Sequence, residues 1–555
     1  MRRYLALLLL LAMLLGLFGC TANVDPGPVQ ADTDAQTEPA PETEAQTGEL
    51  SLQEDYFAQA AATEDNARVF YEIFVGSFSD SNGDGVGDLK GILNRLDYLN
   101  DGDPTSGKSL GIEGIWLTPI FTSPSYHKYD VADYYEIDPK FGTMEDLQAL
   151  IDACHARGVK LILDMVINHT STQCSWYKSF VQAHKDQDTE SEFYNFYSWS
   201  QEDSIPGGRV FNKIGGTLDY YECNFWDQMP ELNFDNPQVR QTVLDVAKFY
   251  LDMGIDGFRF DAAKYVYYGE HERSVEFWNW YMDELRAYKP DIYTVAEVWD
   301  SDGVTDLYFD ALNCFDFTVS QAEGLIAQTA NKGDVNSYCA YVQSYLEAIA
   351  GKNPDAMYLP FIANHDTDRA AGYLPDASGQ MQMAANLYLL GPGSPFLYYG
   401  EELGMRGSRG GANTDSNRRL AMVWGDGDTV KDPEGTTYQA SNQISAGAMQ
   451  QMEDPNSLYT YYKKVIAIRK ANPEIARGVY TALSFPEDKA SGFVASLDGS
   501  FVCVIHNTTQ REITIDLSKG TDLSFTQITA MIGLGEATLN GTMLTLGAQT
   551  SVVLR

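Results

Sequence analysis

The sequence predicts an α/β protein: a (β/α)8 TIM barrel with an inserted domain after the third strand and an antiparallel β-sandwich at the C-terminus. Three observations carry this reading. Eight short apolar runs between about residues 66 and 400 read as strands. Most are separated by helix-like segments such as "TMEDLQALIDACHARG" and "NPQVRQTVLDVAKFYLDMG". After "SLYTYYKKVIAIRKANP" the pattern changes to short alternating strands, including "GSFVCVIHN" and "REITIDLS".

The chain opens with Arg2 and Arg3 followed by the apolar run Leu5 to Leu15, the pattern of a secretory signal at 1–19. Leu17-Phe18-Gly19-Cys20 resembles a bacterial lipobox, which implies lipidation of Cys20 and a protein anchored on the extracellular side of the cell membrane. From Thr21 to Asp55 there are nine acidic residues, no basic ones and no aromatics. Such a segment buries too little apolar surface to offset chain entropy, so residues 20–62 are expected to form a disordered tether. The other cysteines, Cys154, Cys174, Cys223, Cys314, Cys339 and Cys503, fit no zinc spacing, and no pairing follows from them.

The barrel is expected over 63–477. Its strands lie in "RVFYEIFVGSF", "GIEGIWLTPI", "VKLILDMVIN", "GIDGFRFDA", "DIYTVAEVW", "LNCFDFTV", "MYLPFIANHD" and "SPFLYYGEE". The third and fourth are far apart, and the polar, aromatic-rich stretch at about 170–232 reads as a domain inserted on the face where a barrel carries its active site. The sandwich is expected over 478–555. With 555 residues the chain has room for several such units, and its formal charge of −40 excludes nucleic acid as a main partner. A monomer is expected.

A barrel by itself fixes no chemistry; the residues at its strand ends do. Asp261 ends the fourth strand, Glu297 ends the fifth, and Asp366 follows the seventh. Retaining glycoside hydrolysis needs a carboxylate nucleophile and a carboxylic acid about 5–5.5 Å apart, which neighbouring strand ends can supply. His169 follows the third strand, Arg259 stands two residues before Asp261, and His365 precedes Asp366. Imidazoles can hydrogen-bond sugar hydroxyls, and a guanidinium favours an ionised nucleophile.

The segments "DMVINH" (164–169), "GFRFDAAKY" (257–265), "AEVW" (296–299) and "FIANHD" (361–366) together resemble the α-amylase family of glycoside hydrolases, family 13. The resemblance spans about residues 66–478 and includes "GIWLTPIFTSPSYHKYD" and "GSPFLYYGEE". It implies that Asp261 is the nucleophile, Glu297 the general acid/base and Asp366 the acid that stabilises the transition state. It further implies that His169, Arg259 and His365 contact the sugar or orient the nucleophile, and that Tyr129 stacks on the same ring. "MPELN" (229–233) and "DSNGDGVGDLKGI" resemble forms between oligo-1,6-glucosidases and neopullulanases. Ala262 and Lys264 resemble α-amylases instead, and there the lysine helps hold the leaving-group sugars. Tyr265 replaces the histidine common beside that lysine, which counts against a calcium at Asn168.

A different cation site is expected in the loop Asp80–Asp88. Asp80, Asn82, Asp84 and Asp88 place oxygen donors at positions one, three, five and nine, the Val86 carbonyl adds another, and Gly85 permits the sharp turn. The pattern resembles an EF-hand loop, except that Gly91 replaces the glutamate at its twelfth position. A glycine- and aspartate-rich turn without metal is the alternative. The function expected is retaining hydrolysis of α-1,4 bonds in starch or maltooligosaccharides. Its rivals are an α-glucosidase or oligo-1,6-glucosidase and a catalytically inactive sugar-binding lipoprotein.

Overall fold

The computed structural model describes residues 55–555, apart from 205–206, 354–355, 376–377 and 487–488. The expected signal, Cys20 and most of the tether lie outside the described residues. The tether's predicted end is corrected. Asp55–Gln59 forms a short helix, and Tyr56 and Ala60 are buried, because "YFAQAA" supplies apolar groups that the acidic stretch before it lacks. Phe57 packs on the same core.

All eight predicted strands form. They are β1 (Phe70–Ile73), β2 (Gly114–Leu117), β3 (Lys160–Met165), β4 (Gly257–Phe260), β5 (Tyr293–Ala296), β6 (Phe315–Asp316), β7 (Leu359–Pro360) and β8 (Phe396–Tyr398). Six pair in parallel in the order β5-β4-β3-β2-β1-β8, and β6 pairs with β7. Parallel bridges from Ala296 to Cys314 and from Phe361 to Phe396 join the two sheets into a closed barrel. Inside it Phe70, Trp116, Ile162, Tyr293, Phe315, Leu359 and Phe396 form a packed core, as eight strands of this tilt require. Phe70 stacks on both Tyr293 and Phe396, with ring centroids 4.5 and 4.7 Å apart.

The helices start where local chemistry allows. Met144–His155 begins at a capping box in which Thr143 accepts from the Asp146 amide and Asp146 accepts from the Thr143 amide. Pro237–Asp252 has Asn236 as its cap and proline at its first turn, and it buries Val239, Val243, Val246 and Tyr250. Between β3 and this helix, the inserted segment contains the helix Ser175–Asp186 and a sheet of Trp199–Ser200, Phe211–Lys213 and Tyr220–Glu222. An isolated bridge from His169 to Glu231 and the Leu232 amide donating to the Asn168 carbonyl at 3.0 Å bind it to the end of β3, and a bridge from Tyr197 to Leu232 closes the segment on itself.

At the C-terminus a five-stranded and a three-stranded antiparallel sheet enclose their own core, including Val494, Cys503, Ile515, Leu544 and Val552. The six cysteines among the described residues are buried and unpaired. No helix among the described residues is long and apolar enough to cross a membrane.

Candidate active site

The backbone sets the two central carboxylates side by side. Phe260 and Ala296 are register partners on β4 and β5, so Asp261 and Glu297, the next residues, leave neighbouring strands together. The Glu297 amide donates to the Phe260 carbonyl at 3.0 Å, and the Ala263 amide donates back to the Glu297 carbonyl at 3.0 Å. Strands in one sheet lie about 4.7–4.9 Å apart, so the two residues leave the sheet as near neighbours.

Arg259 ties the acids together. Its Nη1 donates to Asp261 Oδ1 at 2.7 Å and to both oxygens of Asp164 at 2.8 and 3.0 Å, while Nη2 donates to Glu297 Oε2. The guanidinium is 1% exposed, so these charges meet with little solvent screening. Trp116 and Tyr129 also donate to Asp164, at 3.2 and 2.9 Å.

A second chain of contacts runs from β1. Glu72 accepts from His365 Nδ1 at 2.6 Å, and His365 Nε2 lies 2.6 Å from the Tyr129 hydroxyl and 3.0 Å from Asp366 Oδ2. Tyr129 and His365 stack with planes 11° apart. Arg419 donates to Asp366 at 2.7 Å and to the Tyr126 hydroxyl at 3.1 Å.

These contacts divide the proton affinities. Burial alone would discharge His365, but Asp366 and Glu72 raise its pKa to about 10, so it is an imidazolium. Burial opposes ionisation of Asp366 too, but His365 and Arg419 hold it well below the usual carboxylate range. Asp261 rises to about 6 through burial and the nearby Asp164 charge, against the pull of Arg259. Glu297 rises further, to about 7, through burial and the charges of Asp261 and Asp366. Of the two neighbours, Glu297 keeps its proton to higher pH.

His169 is 2% exposed, and its Nε2 has no partner among the described residues. Burial lowers it to about 4, which keeps it neutral. The Asn168 amide lies 3.2 Å from Nδ1 and can donate to it.

Asp261, Glu297, Asp366, Tyr129 and His169 all line one open cleft of about 670 Å3, together with Ala262, Phe225, Trp226 and Arg419. Arg259 and His365 stand behind its wall. Lys264 is not part of that lining; its Nζ donates to the Trp299 carbonyl at 2.6 Å and to Asp300 at 2.8 Å. The aromatic wall of Phe225 and Trp226, about half exposed at 46% and 48%, comes from the inserted segment.

Residues 72–478 match the family described as the α-amylase catalytic domain. The chain belongs to the α-amylase family. It is 35% identical over 453 residues to Alpha-amylase 3 of Dictyoglomus thermophilum, covering 81% of this chain and 86% of that protein. An oligo-1,6-glucosidase of Parageobacillus thermoglucosidasius is 29% identical, with 80% and 90% covered. The structure of Eubacterium rectale Amy13B superposes with a TM-score of 0.83 at 34% identity, covering 91% of this chain and 99% of that one. The protein is therefore a glycoside hydrolase of the α-amylase family acting on α-glucans.

Glu72, Asp164, Trp116 and Arg419 received no role from the sequence alone. Glu72 is the one carboxylate in the otherwise apolar "FYEI" of β1, and a buried charge in a strand calls for a partner. Asp164 stood inside the quoted "DMVINH", but nothing local marked it as the anchor of Arg259.

The Asp80–Asp88 loop folds on itself. Asp80 accepts from the amides of Asn82, Gly83 and Gly85 at 3.0, 2.7 and 2.7 Å, Asn82 from Asp84 at 2.9 Å, and Asp84 from Val86 at 2.8 Å. Asp88 caps the helix Leu89–Asn94 by accepting from Gly91 at 2.7 Å. Gly85 has φ +93°, the left-handed turn expected at the sixth position. The donors are all hard oxygens, which fits calcium in kind. No group of three acidic, histidine or cysteine side chains that could hold a metal ion converges here or elsewhere among the described residues.

Proposed function

We propose that the enzyme hydrolyses α-1,4-glucosidic bonds of starch or maltooligosaccharides with retention of anomeric configuration. The observation that carries the reading is the register pairing of Asp261 and Glu297 beneath one guanidinium, with the small Ala262 beside them in the cleft. Asp261 Oδ attacks the anomeric carbon, the bond to the leaving oxygen breaks, and the Glu297 proton passes to that oxygen. Glu297, now a carboxylate, takes a proton from water; the water oxygen bonds to the anomeric carbon and the Asp261 ester bond breaks. Arg259 keeps Asp261 ionised, Asp366 faces the positive charge that develops on the sugar, and His169 Nε2 hydrogen-bonds a hydroxyl.

The relative named α-amylase supports the α-1,4 preference, as does Ala262, whose short side chain leaves room for an α-1,4 chain to continue. "MPELN" and the relative named oligo-1,6-glucosidase favour the second reading, an α-glucosidase or oligo-1,6-glucosidase. Rates on maltotriose, maltoheptaose, starch, isomaltose and panose decide between them. Maltoheptaose and starch should be cleaved far better than isomaltose; preference for isomaltose or panose over maltotriose overturns the α-1,4 reading.

We further propose that Lys264 spends its third N–H on leaving-group sugars, and that calcium is held by Asp80, Asn82, Asp84, the Val86 carbonyl and Asp88, away from the chemistry. The same reading makes Cys20 the lipid anchor that keeps the enzyme on the outer side of the membrane.

A further inference from the structure

Glu72 is the one charged residue of β1, and the strand turns it inward. Side chains two apart on a strand share a face, and Phe70, two residues earlier, lies in the barrel's interior core, as does Trp116, the register partner of Glu72 on β2. Glu72 is 2% exposed, and its Oε1 accepts from His365 twice, from Nδ1 at 2.6 Å and from the backbone amide at 3.3 Å.

The far side of the His365 ring fixes what the ring must carry. The Tyr129 hydroxyl has one hydrogen, and it goes to Asp164 Oδ2 at 2.9 Å, a carboxylate that also receives Arg259 and Trp116. Toward His365 Nε2, 2.6 Å away, the same oxygen can then only accept, and so can the ionised Asp366 Oδ2 at 3.0 Å. Both ring nitrogens face acceptors, an arrangement that calls for a proton on each.

We propose that Glu72 is a positioning residue: it holds His365 as an imidazolium whose Nε2–H points at Tyr129 and Asp366, and so orders a hydrogen-bonded chain that ends on the nucleophile. The chain runs from Glu72 through His365, Tyr129 and Asp164 to Arg259, whose Nη1 also donates to Asp261 at 2.7 Å. Burial would discharge the ring, and Asp366 and Glu72 together outweigh it. Other groups surround the ring. Arg419 Nε donates to the His365 carbonyl at 3.0 Å, Trp116 meets the ring edge-on, and Asp164 and the neutral His127 feel its charge. Glu72 is the only one of these on β1, and it meets Nδ1, the nitrogen turned away from Asp366 and Tyr129. Without its charge the remaining proton stays on Nδ1, the bare Nε2 meets Asp366 as lone pair against carboxylate, and the Tyr129 hydrogen turns to the ring and leaves Asp164 short of a donor.

The proposal rests on the roles given above to Asp261 and Asp366, and its test separates the two. Glu72→Gln keeps the shape and an oxygen for Nδ1–H but removes the charge. At about pH 8 kcat/KM on the parent's best substrate should fall at least about tenfold, the scale of a lost hydrogen bond to a charged group. Falling pH recharges the ring, so the variant-to-parent ratio should climb back toward one by about pH 5; the titrations of Asp261 and Glu297, common to both enzymes, drop out of that ratio. Ring nitrogen-15 NMR on the parent, with the signal identified by its loss in His365→Asn, covers the case of a poorly folded Glu72→Gln: both His365 nitrogens should be protonated at about pH 8. A neutral His365 ring in the parent, or a ratio that stays flat with pH in the folded variant, overturns the proposal. Wrong roles for Asp261 and Asp366 would show instead as activity retained in Asp261→Asn and Asp366→Asn, with the parent's ring still charged.

Discussion

At the scale of single residues, the site depends on which of two neighbouring carboxyls holds a proton. Glu297→Gln removes that proton while keeping shape, and should lose at least the roughly 10²–10⁴-fold that acid–base catalysis contributes. Steady-state rates on maltoheptaose check this, and Asp261→Asn should be at least as damaging. The pH profile follows from the same pair. Asp261 must be ionised, so activity should fall as pH drops through about 6; Glu297 must be protonated, so it should fall again as pH rises through about 7. Because the two interact, the limbs of kcat/KM report the pair as a unit. A profile flat from pH 5 to 9 would contradict the assignment. Asp261, Glu297 and Asp366 were legible in the sequence as strand-end acids because each follows an apolar strand. Glu72, Asp164 and Arg419 were not: their meaning lies in partners 293, 95 and 53 residues away.

At the scale of elements, the eight strands were legible because barrel strands buried on both faces read as apolar runs. Their lengths were less so: β6 and β7 pair over only two residues each, since most of their apolar residues serve packing outside the ladder. The loop after β8 carried no periodic pattern, so the wall it builds beside Tyr126 was invisible until β1, β2 and β8 came together. The Asp80–Asp88 loop packs against that loop. Gly85→Ala places a side chain at φ +93° and should cost about 1 kcal/mol or more of stability, read from thermal or denaturant unfolding. Contact of the new Cβ with the flexible end of Lys431, 2.9 Å away, adds less than the backbone strain. If calcium binds, chelator should lower the melting temperature and calcium restore it, by mass action on the folded state. Asp84→Ala should abolish that response, and melting indifferent to chelator in the parent would leave the loop as a turn alone.

At the scale of the whole molecule, the barrel brings carboxylates from β3, β4 and β5 to one guanidinium, the inserted segment adds His169's seam and an aromatic wall, and the β8 loop supplies Arg419. A chain this acidic suits a neutral polymer as substrate, since no charge on the ligand has to be overcome. Anchoring belongs at this scale too: Cys20→Ser should abolish acylation and move the protein out of the detergent phase, and unchanged partitioning would count against the lipobox. The central claim, double displacement at an α-1,4 bond by Asp261 and Glu297, is tested most directly by following maltoheptaose hydrolysis with time-resolved proton NMR. New reducing ends should appear first as the α anomer and only later equilibrate; β anomer appearing first, or intact maltoheptaose beside readily cleaved isomaltose, would contradict the account.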